Sequence, residues 1–229
     1  MGFYRCVVDK HIEVDDGHDY VVKVNGQIFD GKINNYCNLY NDAFNSVFGT
    51  ERSLFNDTVI IGNKITNCFN LFCMCSNLNS PITIGDNVNN CMDMFRGCVS
   101  LNSPVRLGKK VYYCFEMFMG CANFNQDLII PDTVSSCQYM LWYCNNFASN
   151  IYFKGTVQRA ISLGNMLGLS YSLPTFPKRT LHFNIVLNSV FNTGTMFNTS
   201  YSLTWTLMDN GYYNSAYNIY CYYNYDGVS

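Results

Sequence analysis

Cysteine is the residue type whose number and spacing in this chain best suit chemistry. The 229 residues include 12 cysteines, a number typical of a disulfide framework or a metal site. Zinc prefers closely paired ligands such as C-x2-C, whereas the spacing that recurs here is C-x6-C. We interpret the cysteines as buried, reduced thiols, since free cysteine is among the most buried residue types; disulfides and metal binding are the alternatives. Eight cysteines form two series with a step of 23 residues: Cys68, Cys91, Cys114 and Cys137, then Cys75, Cys98, Cys121 and Cys144.

Apolar residues repeat with the same step, which indicates packing. A fixed period of this length is the signature of stacked repeats. We count units that start at residues 45, 68, 91, 114, 137 and 160, of which the first and last are degenerate. The main apolar columns are Leu78, Leu101, Phe124 and Phe147; Ile84, Leu107, Ile130 and Phe153; and Val88, Val111, Val134 and Val157.

Two periodicities alternate within each unit. In the unit that starts at residue 91, apolar residues at even spacing predict a short strand from Pro104 to Leu107. Apolar residues then recur from Val111 to Cys121 at steps of three and four, which predicts a short helical turn. Gly97 fits the left-handed end of such a turn, and Gly120 is its equivalent in the next unit. The predicted fold class is therefore an α/β repeat of 23-residue units, each a short parallel strand plus a helical turn.

The two ends of the chain do not follow the repeat. Residues 1–44 predict a β-rich N-terminal cap or docking unit, with a hairpin over 21–29 around Asn25-Gly26. Residues 45–182 form the repeat array. Residues 183–229 predict an irregular, aromatic-rich, β-type C-terminal segment that is either a cap or an interface. Tyrosine is common at interfaces, so Tyr212, Tyr213 and Tyr217 are candidate residues for subunit contact or carbohydrate stacking.

Several segments resemble the BspA-like, or Treponema-type, leucine-rich repeat family. They are Leu-Ile-Ile-Pro-Asp-Thr-Val-Ser-Ser-Cys-Gln-Tyr-Met at 128–140, Met-Phe-Arg-Gly-Cys-Val-Ser-Leu at 94–101 and Met-Phe-Met-Gly-Cys-Ala-Asn-Phe at 117–124. The resemblance implies a leucine-rich-repeat solenoid. The family includes bacterial surface adhesins, secreted proteins of parasites and repeat modules in bacteriophage virions.

The strand pattern predicts which side chains face solvent. If Ile82 and Ile84 point inward, then the residue between them points outward. Its equivalents at the 23-residue step include an isoleucine, a tyrosine and an arginine, which is typical of a contact patch; the alternative is a set of β-formers without a binding role. The candidate binding row is Thr83, Arg106, Ile129 and Tyr152, with Thr175 next in sequence.

Composition and motifs exclude several classes of function. Charged residues make up 13% of the chain and the formal net charge is −2, so nucleic acid is not an expected partner. No apolar run approaches the length that spans a bilayer, so membrane insertion is not expected. No catalytic motif is present. We therefore expect a protein that is not an enzyme and has no metal and no cofactor.

These expectations lead to a hypothesis about function. Residues 1–6 lack the features of a signal peptide, which favours a protein assembled in a bacterial cytoplasm and released by lysis. The leading hypothesis is a bacteriophage virion component, such as a tail, fibre or capsid-attached protein. Its partners would be other virion proteins, sister subunits, or a host surface receptor or glycan. The alternative is a bacterial cell-surface leucine-rich-repeat adhesin that binds host matrix proteins or glycans.

Overall fold

The fold of the chain is β-rich. A computed structural model describes residues 11–15, 21–24, 27–29, 53, 56, 58–61, 66–154, 163–168, 178–183, 206–208, 211–214 and 219–222. In chain order the strands are β1 (His11–Asp15), β2 (Val21–Val24), β3 (Gln27–Phe29), β4 (Thr58–Ile61), β5 (Ile82–Thr83), β6 (Val105–Arg106), β7 (Leu128–Ile130), β8 (Asn150–Phe153), β9 (Arg179–Phe183), β10 (Thr206–Met208), β11 (Gly211–Asn214) and β12 (Ile219–Tyr222).

The strands form two six-stranded sheets. The first has the order β3-β2-β1-β4-β5-β6, and the second has the order β10-β11-β12-β9-β8-β7. Strands contributed by the repeats pair in parallel, whereas β1–β3 and β10–β12 pair antiparallel among themselves. The hairpin predicted for 21–29 is confirmed, since Val24 pairs with Gln27.

Strand pairing in the described repeats follows the step seen in the sequence. Val59 pairs with Ile82, and Ile82 pairs with Val105. Leu128 likewise pairs with Ile151 in the second sheet. A second line of parallel bridges, outside the named strands, joins Asn67, Asn90, Tyr113 and Ser136. Residues 23 apart therefore become neighbours in space, which is why each column holds one type of side chain.

The helical turn predicted after each strand is not a helix. The part of the chain that the structure describes contains no α-helix. Asp93 N–H donates to the Phe115 carbonyl of the next unit at 3.0 Å, whereas Met94 N–H donates back to the Cys91 carbonyl at 3.3 Å. This alternation continues along the segment, so every second amide serves the neighbouring unit and cannot make the bond to residue i−4 that an α-helix needs.

Backbone angles of opposite sign accompany this alternation. Gly97 and Gly120 have φ values of 72° and 76°, which agrees with the left-handed positions expected for glycine. A second column adopts the same conformation without glycine: Asn70, Asp93, Glu116 and Tyr139 have φ values between 52° and 60°. The segment is thus a series of turns. Its apolar residues stay at steps of three and four, and half of its amides donate to the neighbouring unit.

The core is built from columns of fully buried residues. Phe72, Phe95 and Phe118 stack with ring centroids 5.9 and 5.6 Å apart, and Phe124 stacks on Phe147 at 6.1 Å. Their ring planes are within 18° of parallel, because equivalent side chains of successive units adopt one orientation. Each large side chain buried in this way stabilises the fold by about 1.5–3 kcal/mol.

The cysteine columns belong to this core. No disulfide joins the ten cysteines of the described ranges, and all but Cys73 are buried. The thiol of Cys121 donates to the Phe95 carbonyl at 3.0 Å, and the thiols of Cys98 and Cys144 make the equivalent bonds. Burial raises the pKa of the Cys114 thiol to about 12. The packing interpretation of these cysteines therefore agrees with the structure.

Asparagine makes a second ladder on the surface. The side-chain Oδ1 atoms of Asn56, Asn79, Asn102 and Asn125 each accept the backbone N–H of the residue 23 positions later, at 2.7–2.9 Å. The last of these acceptors, Asn125, receives the N–H of Ala148, whose side chain has no acceptor to continue the ladder. This ladder ties each loop before a strand to the unit preceding it.

Candidate functional site

The predicted binding row faces outward, but it is divided between the two sheets. Thr83 pairs with Arg106 at the edge of the first sheet, and Ile129 pairs with Tyr152 at the edge of the second. The first three of these side chains are exposed and Tyr152 is half-buried. Ile129, an aliphatic residue, is 43% exposed. The next residue predicted for the row, Thr175, lies outside the described residues.

The position next to Tyr152 is occupied by His182, which sequence reasoning missed. These two residues pair in the parallel β8–β9 ladder, although they are 30 positions apart. The 23-residue step does not predict this pair, because extra residues enter the chain between the two strands. A sequence signal for this pair does exist. Polar and apolar residues alternate in Leu-His-Phe at 181–183, and Leu181 is fully buried, so the alternation places His182 on the outward face.

A stack of aromatic rings extends the row across the second sheet. The Tyr152 and His182 rings lie 4.5 Å apart with an interplanar angle of 11°. His182 stacks in turn on Tyr222 of β12, at 5.6 Å and 21°. The rings lie face to face across neighbouring strands, so the sheet presents their edges and polar tips to solvent.

The candidate tyrosines of the C-terminal segment separate into three situations. Tyr213 stacks on Tyr220 at 4.4 Å, beside the row, and the Lys178 ammonium lies 4.5 Å from the Tyr220 ring centre, a cation–π contact. Tyr212 pairs with Cys221, which is buried. Tyr212 is therefore one residue out of register with the outward row. Tyr217 lies outside the described residues. Of the three, only Tyr213 is shown beside the aromatic row.

His182 is the histidine of the aromatic stack. Its pKa is lowered from the ordinary value by burial, against an opposing effect of the Asp127 carboxylate. One ring nitrogen, Nε2, lies 3.4 Å from Asn150 Oδ1. The imidazole is therefore held in its neutral form more strongly than a histidine in water.

A cleft of about 610 Å³ lies where the two sheets meet. No ladder joins β6 to β7, and Val105 and Leu107 remain 7% and 8% exposed there, more than their equivalents in other units. A Cβ on Gly108 would overlap the Gly85 carbonyl oxygen, so the preceding pair of units approaches closely only because glycine occupies this column. The next residue in the column is Pro131, whose ring prevents the same approach and which has no N–H to donate.

Charged side chains surround the cleft. Lys109 Nζ lies 2.9 Å from Asp86 Oδ2, and Arg106 Nη2 lies 3.7 Å from Asp86 Oδ1. The hydrogen bond from Lys109 lowers the pKa of Asp86. Lys154 and Asp132 also line the cleft, and both are exposed. Basic and acidic side chains thus line one opening together.

A second charged cluster lies among the turns. Arg96 Nη1 contacts Glu116 Oε2 at 3.0 Å and Asp93 Oδ1 at 3.4 Å. Burial, followed by the neighbouring Asp93, raises the pKa of Glu116. Two carboxylates that share one guanidinium at equivalent positions of adjacent units are explained by stacking of the repeat.

Within the described ranges, no group of three or more histidine, cysteine, aspartate or glutamate side chains is arranged to hold a metal ion. Within them, no helix has both the length and the apolar character needed to cross a membrane.

More than half of the chain matches a protein-family model. The family model described as "Mycoplasma protein of unknown function, DUF285" matches residues 43–154 and, in an overlapping alignment, residues 66–180. The two alignments differ by about one repeat and together cover more than half of the chain. No curated protein and no solved structure matches the chain.

Proposed function

The chain belongs to the family of Mycoplasma proteins of unknown function, DUF285, and we propose that it is a non-enzymatic structural or binding protein. In this proposal the 23-residue units stack as a leucine-rich-repeat solenoid, and the outward strand face contacts a partner. The supporting observation is the row itself. Ile129 is 43% exposed beside Tyr152, and exposed apolar groups next to aromatic and cationic residues are characteristic of binding surfaces.

The setting that we propose first is a bacteriophage virion, in which the protein is a tail, fibre or capsid-attached component assembled in the host bacterial cytoplasm. Its partners would be other virion proteins, sister subunits or a host receptor. Buried cysteines without disulfides support this setting, because a protein that folds with reduced cysteines suits a reducing compartment.

A second setting is supported by a different observation. The matched family is described from Mycoplasma, a cellular organism, which favours a bacterial cell-surface adhesin that binds host matrix proteins or glycans. Both settings use the same face of the molecule, so the binding proposal does not depend on the choice between them.

One experiment separates the settings. An antibody against the protein would be applied to purified phage particles and to intact cells of the bacterium that carries the gene. Signal in particles at a fixed copy number supports the virion component. Signal on intact cells, with none in particles, supports the adhesin.

The binding face is tested with a matched pair of substitutions. Ile129 and Val99 are aliphatic side chains of nearly equal exposure, 43% and 44%, but Ile129 lies on the strand face and Val99 among the turns. We expect Ile129→Ser to weaken attachment to particles or cells at least fivefold, since buried apolar contacts dominate binding hot spots, and Val99→Ser to leave it unchanged. Equal effects of the two substitutions would refute the assignment of the face.

A further inference from the structure

Hydrogen bonds link the two units on both sides of the cleft between β6 and β7, which limits what can enter it. On one side of the strands, Asn125 N–H donates to Asn102 Oδ1 at 2.9 Å. On the other side, the Thr133 hydroxyl donates to the Lys109 carbonyl at 3.0 Å. Both bonds hold the two units together, so an extended peptide strand cannot pass between them. The volume of about 610 Å³ is in the usual range for a small ligand, roughly 300–1,000 Å³.

The charges around the cleft decide which ligand fits. Arg106, Lys109 and Lys154 line it, together with Asp127 and Asp132. An anion would face the two carboxylates, and a cation would face the three basic groups, two of which already contact Asp86. A neutral ligand rich in hydroxyl groups avoids both conflicts, because each hydroxyl donates to a carboxylate and accepts from an ammonium or guanidinium.

The backbone and the apolar residues of the cleft point to the same ligand. Leu107 N–H donates to no backbone carbonyl in the described part of the chain, so it offers a further donor. Pro104, Ile129 and Pro131 give the cleft apolar walls, which suit the C–H faces of a sugar ring. Hydroxyl edges and apolar faces occur together in a pyranose.

From these observations we propose that the β6–β7 cleft is a binding site for a short, neutral oligosaccharide. The inference rests on the proposed function and specifies one class of partner for the strand face. It places sugar recognition in the cleft, with Asp132, Lys154 and Arg106 as the main hydrogen-bonding groups, and not on the aromatic stack, where His182 lies between the Tyr152 and Tyr222 rings.

The test uses purified protein and defined sugars. Maltotriose, cellotriose and the trimer of N-acetylglucosamine serve as neutral probes, and sialyllactose serves as an anionic probe. Binding would be measured by calorimetry and by NMR with labelled protein. We expect at least one neutral trisaccharide to bind with a millimolar or lower Kd and to shift the amide signals of Ile129 and Leu107. No binding by any neutral probe up to 50 mM, or binding of sialyllactose alone, would overturn the proposal.

Substitutions locate the site. Asp132→Ala and Lys154→Ala each remove an exposed hydrogen-bonding group, and we expect each to weaken trisaccharide binding about tenfold. Lys110→Ala is the matched control, since Lys110 is exposed next to Lys109 but does not line the cleft. An equal loss in the control would place the sugar elsewhere. If no sugar binds while Ile129→Ser still weakens attachment to particles or cells, the inference fails and the proposed function stands.

Discussion

The asparagine ladder allows a quantitative test of how the units are joined. Asn102 is an exposed residue in the middle of this ladder. Its Oδ1 accepts the N–H of Asn125 at 2.9 Å and the side-chain Nε2 of Gln126 at 3.2 Å. Its own N–H donates to Asn79 Oδ1 at 2.7 Å. Asn102→Ala removes the first two bonds and leaves the third.

The expected loss follows from the exposure of these groups. A neutral hydrogen bond contributes about 0.5–1.5 kcal/mol net, and water can replace the lost acceptor at an exposed site, which favours the lower half of that range. We expect Asn102→Ala to lower the free energy of unfolding by about 1 kcal/mol. For a protein of this size, that change lowers Tm by roughly 2–4 °C.

The measurement is denaturant and thermal unfolding followed by circular dichroism, with two controls. Asn102→Asp keeps a side-chain oxygen acceptor and should retain most of the stability. Asn123→Ala removes an exposed asparagine whose Oδ1 accepts only a side-chain donor, Asn146 Nδ2, and should cost less than Asn102→Ala. A loss below about 0.3 kcal/mol for Asn102→Ala, or equal losses in all three variants, would refute the role of the ladder.

Two further predictions concern pH. Burial and Asp93 raise the pKa of Glu116, so the folded state binds this proton more tightly than the unfolded state does. Stability should therefore fall as pH rises from the ordinary glutamate range through the raised pKa. Glu116→Gln should remove this pH dependence, as measured by denaturant unfolding. Burial lowers the pKa of His182, so stability should fall as pH drops below about 6.5. His182→Phe keeps a stacked ring and should abolish that acid-side loss, whereas an unchanged pH profile would show that another group titrates.

The sequence was sufficient to predict the strands of the repeats and the outward row. Apolar residues at every second position of each strand define which face of the strand is buried. The residues between them face outward, and Thr83, Arg106 and Ile129 are exposed as predicted. The hairpin over 21–29 was also predictable, because Asn-Gly is a strong local turn signal. These features depend on residues close in sequence or on one repeated distance.

The turns and the C-terminal half of the row were harder to predict. Steps of three and four suit a helix and a chain of turns equally well, and only the hydrogen bonds between units distinguish them. Asp93 illustrates the difficulty. Its φ of 54° belongs to a turn and not to a helix, but a residue other than glycine at this position gives no sequence signal of a positive φ. The pairing of Tyr152 with His182 depends on residues inserted between β8 and β9, whose number follows from no repeat.

Residues that depart from the repeat create the cleft and the aromatic stack. Where Gly85 and Gly108 occupy one column, adjacent units approach closely; where Pro131 follows in that column, the ladder stops and the cleft begins. His182, at a step of 30 from Tyr152 where the repeat has 23, continues the row as an aromatic stack. Packing requires similar residues at equivalent positions, since each side chain packs against its equivalent in the next unit. Recognition requires a difference, because a partner must distinguish one unit from the next. The columns of phenylalanine and cysteine therefore hold the fold together, and the positions that break the columns are where substitutions should alter binding more than stability.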